Sequence, residues 1–127
     1  MIEGTLDLPF KITLGDGEHI IHSDLSLKEG GSNEAMTPHR LLEASLSACT
    51  LMTMQIVAKH KNYSIGNTTV CVTVQSEGPQ TIIKRTITFD PSLNDEQKEK
   101  MTVIANKCPV HRILMSDVQI PTEVIHD

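Results

Sequence analysis

One segment limits the folds open to this chain more than any other. From Leu41 to Ala58 the sequence reads as a helix that is apolar nearly all round. Such a helix is buried on most of its sides. The whole chain has only 127 residues, which fits a single domain, 1–127. One thin layer of structure in so small a domain cannot enclose a helix of this kind. Glu43, Ser45, Ser47, Thr50, Thr53 and Gln55 interrupt the run. A bilayer-spanning helix needs about 20 predominantly apolar residues, so the segment is predicted to be a buried helix and not a membrane span. Thr37 can cap its start, and Pro38 suits the first helical position. Lys59, His60 and Lys61 place cations at its C-terminal end, where the helix dipole favours them.

Around this helix the pattern is mostly that of strands. Leu6, Leu8, Phe10, Ile12 and Leu14 fall on every second position, the period of a half-buried strand over residues 5–14. Pro9 lies on the opposite parity, which suits an edge. Gly15-Asp16-Gly17 is a turn, and residues 18–27 return as a second strand. Lys28 to Met36 is polar, contains Gly30-Gly31 and reads as a mobile loop. After the helix, Val70, Val72 and Val74 face one side of a strand and Cys71, Thr73 and Gln75 the other. A further strand spans 81–89, with Ile83, Ile87 and Phe89 on one parity and Arg85 unexpectedly among them. Asn94 and Gln97 form a capping-box variant for a helix running towards Lys107. Pro109 interrupts it, because proline has no N–H to continue the ladder, and a short helix follows from Val110 to about Met115. Residues 117–125 are predicted to close the chain as a strand. The expected fold class is α+β, in the order β-β-α-β-β-α-α-β.

Composition removes several functions. Acidic residues outnumber basic ones, 16 to 11, for a net charge of -5, and aromatics are only 2%. Nucleic-acid binding calls for a basic face to meet phosphates, so no nucleic-acid partner is expected. Met1 to Gly4 carry neither the basic nor the apolar part of a signal peptide, and a cytoplasmic location is expected. No Gly-x-Ser-x-Gly elbow occurs, nor a phosphate-binding glycine loop. Three cysteines remain, Cys49, Cys71 and Cys108. An odd number in a chain without a secretion signal does not suggest a disulfide framework. Cys108 precedes Pro109 at a helix-capping position, where free N–H groups favour a thiolate; a plain buried cysteine is the other reading. Cys49 sits mid-helix with Ser45 and Thr53 on its face, and on its own it reads as core filler. Cys71 is expected to be structural or incidental. Cys108 and His111 supply one ligand pair where structural zinc usually shows two, so no metal or cofactor is expected.

Two segments together change the reading of the cysteines. The run from Thr37 to Thr50, Thr-Pro-His-Arg-Leu-Leu-Glu-Ala-Ser-Leu-Ser-Ala-Cys-Thr, resembles the central-helix motif of the OsmC/Ohr family, the osmotically inducible protein C and organic hydroperoxide resistance proteins. Residues 104–112, with Cys108-Pro109-Val110-His111, resemble its second signature. The order of the flanking elements agrees as well, so the likeness spans nearly the whole chain and points to the general OsmC-like branch. The resemblance implies an OsmC-like fold: two antiparallel sheets around a long central helix, in an intertwined homodimer. A second subunit would supply the missing cover for the helix. The resemblance also implies a thiol peroxidase acting on organic or lipid hydroperoxides. Cys49 would be the peroxidatic thiolate, oxidised to a sulfenic acid; Cys108 would resolve it as a disulfide, and an external dithiol would reduce that. In the best-studied branches a Glu follows the motif proline and an Arg precedes it on the N-terminal sheet. Here His39 stands in the first place, and no arginine occurs before Arg40. A non-peroxidatic redox or apolar-ligand-binding protein is the alternative. A fast Cys49 would need a cation to offset its burial. Arg112, His39 and Arg85 are the candidates, and Arg112 is favoured because it follows Cys108. Ten residues along a helix turn His39 about 80° away from Cys49.

Overall fold

The computed structural model describes residues 1–126. Its elements are α+β, in the order β-β-β-α-β-β-α-α. Two compact units divide the chain, 1–45 with 73–84, and 46–72 with the residues from Arg85 onward.

In the first unit, β1 (Glu3–Asp7), β2 (Lys11–Gly15) and β3 (Ile20–Ser23) form an antiparallel sheet in that order. The single strand expected over 5–14 is therefore two strands joined at Leu8-Pro9-Phe10. Leu6 pairs with Ile12, and Asp7 with Lys11. A connection of three residues puts partners of equal parity opposite each other, so the alternation runs through the turn and conceals it. Pro9 has no N–H to give to a ladder, and the chain turns where that donor is missing. The polar loop after β3 contains a 3-10 turn, Leu27–Glu29, and is fastened from within. Buried Asp24 accepts the N–H groups of Leu25 (2.8 Å), Ser32 (3.3 Å) and Glu34 (3.2 Å). Ser23 donates its hydroxyl to the Met36 carbonyl at 2.7 Å.

Helix α1 (Pro38–His60) begins where Thr37 accepts the Arg40 N–H at 3.3 Å. By length and composition alone it could cross a membrane. Its buried residues mark it as a core helix: Leu46, Thr50, Met54 and Ala58 recur every fourth position and form one buried line. In the second unit Met54 and Ala58 pack with Ile65, Val70, Met101 and Ala105. The opposite line remains open, with Met52 65% and Ile56 59% exposed. Within one chain the helix is thus covered on one side, not on most sides as its sequence predicts.

Strands β4 (Thr69–Ser76) and β5 (Ile82–Thr88) form a two-stranded sheet. Val70, Val72 and Val74 are covered while Cys71, Thr73 and Gln75 are exposed, as the alternation predicts. Asn94 and Gln97 complete the capping box of α2 (Asp95–Ala105), each side chain accepting the other's N–H. Helix α3 (Pro109–Leu114) follows. The strand expected over 117–125 does not form: these residues have no regular secondary structure, and Val118, Ile120, Val124 and Ile125 are exposed. Pro121 removes a donor from the middle of that segment.

Candidate active site

Cys49 and Cys108 reach each other from different elements of the second unit. Cys49 lies mid-way along α1, one residue before the buried line, and is half-buried. Cys108 is fully buried at the junction of α2 and α3. The junction follows from local sequence. Helix α2 ends with the Lys107 N–H bonded to the Ile104 carbonyl at 2.9 Å. Pro109 occupies the first turn of α3, where a missing N–H costs nothing. Cys108 then takes the capping position, and its Sγ accepts the His111 N–H at 3.3 Å. Both thiols are free, as is exposed Cys71 on β4.

Burial pushes the Cys49 thiol up, but hydrogen bonding more than reverses this. The Val110 N–H, the Cys108 side chain and the Thr53 hydroxyl all favour the thiolate, and the net effect holds Cys49 below an ordinary thiol. Thr53 Oγ1 is 4.0 Å from the sulfur. No cation is among these causes. Arg112 is exposed, and no hydrogen bond or ion pair of its guanidinium is found among the described residues. His39 is also exposed and pairs with Glu77, Nε2 to Oε1 at 2.6 Å.

Arg85 is the cation that enters the site. From the half-buried face of β5 its guanidinium donates to Thr50 Oγ1 (3.2 Å), to the Ala105 carbonyl (3.1 Å) and to Asn106 Oδ1 (2.6 Å). Thr50 Oγ1 in turn lies 3.9 Å from Cys108 Sγ. Burial, and then the charge of Arg85, hold His111 below the ordinary histidine range, so its imidazole is neutral at pH 7. Among the described residues no three His, Cys, Asp or Glu side chains gather as a metal site would require. Sequence reasoning singled out both cysteines and Arg85 but passed over Thr50 as a contact. The available signal was a hydroxyl on the line Leu46–Thr50–Met54–Ala58, where every other member is apolar. Asn106 and the Val110 N–H belong to the α2–α3 junction, and their placement depends on where the helix breaks.

The family model described as OsmC-like protein matches residues 31–123. Among solved structures, a Psychrobacter arcticus protein assigned to osmotic stress induction and the detoxification response is 25% identical. The match covers 87% of this chain and 85% of that one, with a TM-score of 0.75. An OsmC-like protein from Mycoplasma pneumoniae is 22% identical over 92% of this chain and 87% of its own, with a TM-score of 0.76. The organic hydroperoxide resistance protein OhrB of Bacillus subtilis is 18% identical, covers 92% and 90%, and gives a TM-score of 0.61. No curated protein sequence matches the chain.

Proposed function

Because the chain belongs to the OsmC-like protein family, we propose that it reduces organic hydroperoxides with a pair of cysteines. Cys49 thiolate attacks one oxygen of the O–O bond. That bond breaks, the alcohol leaves once its oxygen takes a proton, and Cys49 becomes a sulfenic acid. Cys108 then attacks the Cys49 sulfur. Water leaves, a disulfide forms, and an external dithiol returns both sulfurs to thiols. The carrying observation is the hydrogen-bonded approach of Cys108 and the Val110 N–H to a Cys49 held below the ordinary thiol range. A sulfenic acid formed at that position has its resolving sulfur already at hand, which protects it from further oxidation. The names of two solved relatives, hydroperoxide resistance in Bacillus subtilis and a detoxification response in Psychrobacter arcticus, support the same reading.

The substrate is an organic or lipid hydroperoxide rather than a charged one, since the open line of α1 on the side of Cys49, with Met52 and Ile56, is apolar. That open line is where a second copy of the chain docks, giving a homodimer that acts as one OsmC-like domain per chain. Three free thiols suit the reducing cytoplasm. The test is consumption of cumene hydroperoxide by reduced protein with an excess of dithiol. Turnover is expected for the wild type and its abolition for Cys49→Ser. Equal, background-level consumption by both proteins would defeat the reading.

A further inference from the structure

Arg85 presents a problem that the hydroperoxide chemistry leaves open. A half-buried charge normally has a counter-ion. Among the described residues Arg85 has no carboxylate partner, and its three acceptors, Thr50, Ala105 and Asn106, are all neutral. It also sits on the strand parity of Ile83 and Ile87, where apolar neighbours limit screening by water. One group near it can become an anion. Cys108 Sγ lies 3.9 Å from Thr50 Oγ1, the atom that Arg85 holds at 3.2 Å.

We propose that Arg85 is a positioning residue for Cys108, acting through Thr50 to stabilise the Cys108 sulfur whenever it carries negative charge. The hydroxyl has two orientations available, because its hydrogen rotates to suit its surroundings. In the resting thiol form it donates to the Leu46 carbonyl one turn back, at 2.7 Å, and the Cys108 S–H can donate to its oxygen. When Cys108 is anionic, the hydroxyl turns from Leu46 to the sulfur, with the Arg85 guanidinium behind it. The His111 N–H already points at the same sulfur. Arg85 also raises the cost of charging His111, so the imidazole next to this sulfur stays neutral.

The relay rests on the Cys49/Cys108 cycle proposed above and enters it twice. In disulfide formation Cys108 gives up its proton, its electron pair forms the S–S bond, and the hydroxyl of the Cys49 sulfenic acid leaves as water with that proton. In reduction a thiolate of the external dithiol attacks Cys49, the more accessible sulfur. The S–S bond breaks, and its electron pair leaves on Cys108, where the relay receives it. The second dithiol sulfur then displaces Cys49, and solvent protons return both cysteines to thiols. A better-stabilised leaving sulfur leaves faster.

The test separates the relay from the hydroperoxide reading by forming the Cys49–Cys108 disulfide with diamide and following its reduction by excess dithiothreitol. Thr50→Val keeps the side-chain shape and leaves the Arg85 bonds to Ala105 and Asn106 in place. It is expected to slow reduction about tenfold, the effect of losing one hydrogen bond to a charged group. Thr50→Ser is expected to keep the wild-type rate, Arg85→Met to slow reduction as Thr50→Val does, and Arg85→Lys to recover part of the loss. With one equivalent of cumene hydroperoxide, Thr50→Val should form the Cys49 sulfenic acid at the wild-type rate and accumulate it, as read by dimedone labelling. Equal reduction rates for Thr50→Val and wild type overturn the relay, and so does failure of diamide to form the disulfide. If the diamide experiment behaves as expected while hydroperoxide leaves the wild-type thiols untouched, the relay stands and the hydroperoxide function falls.

Discussion

At Cys49, burial and hydrogen bonding pull the thiol in opposite directions, and hydrogen bonding prevails. A free thiol titrates at about 8.5, so at neutral pH Cys49 holds more thiolate than an ordinary cysteine. Thr53→Val removes one of the favouring groups while keeping the side-chain shape. Its effect is a shift to higher pH in the alkylation profile of Cys49 with iodoacetamide, read by peptide mass. Asp24 shows the same balance in a carboxylate. Burial raises it, but the N–H groups of Glu34, Leu25 and Ser32 lower it further, so its folded value lies below the usual one. The sign follows from linkage. A depressed carboxylate stabilises the fold fully above its unfolded value of about 3.9, and that contribution disappears as pH falls through the lower folded value. Asp24→Asn should therefore lower the melting temperature at pH 7, and the gap to wild type should narrow in acid, measured by thermal unfolding at several pH values.

At the scale of elements, α1 carries both stability and chemistry on adjacent lines. Met54 is fully buried in the core with Met101 and Ala105. Met54→Ala is expected to cost about 2–5 kcal/mol in urea unfolding, the range for deleting a buried large side chain. The start of α1, its apolar length, the alternation in β4 and β5, the capping box at Asn94 and the break at Pro109 were all readable in the sequence. Each depends on residues within one turn or one strand of the signal. The turn at Leu8-Pro9-Phe10 was not readable, because an odd connection preserves the alternation on both arms. Residues 117–125 look like a strand by composition, yet a strand needs a partner that composition does not name. The site divides in the same way. Local motifs point to Cys49 and Cys108, and the odd parity of Arg85 flags a cation on a half-buried face. Its bond to Thr50 joins β5 to a residue 35 positions away, which no local pattern encodes.

At the scale of the whole molecule, two features remain to be accounted for together: the open apolar line of α1 and the paired cysteines. Met52 and Ile56 expose large apolar side chains to water in a single chain. A second copy covering that line gives the apolar kind of interface found in obligate dimers. Sedimentation at micromolar concentration should then find twice the mass of one 14.0 kDa chain, and Met52→Glu with Ile56→Glu should shift it towards the monomer. The central claim, that Cys49 and Cys108 work as one redox pair, is tested most directly by peptide mapping after one equivalent of cumene hydroperoxide. The account predicts loss of two thiols per chain, a Cys49–Cys108 disulfide and a free Cys71. A disulfide that involves Cys71, or three thiols that survive the oxidant, would contradict it.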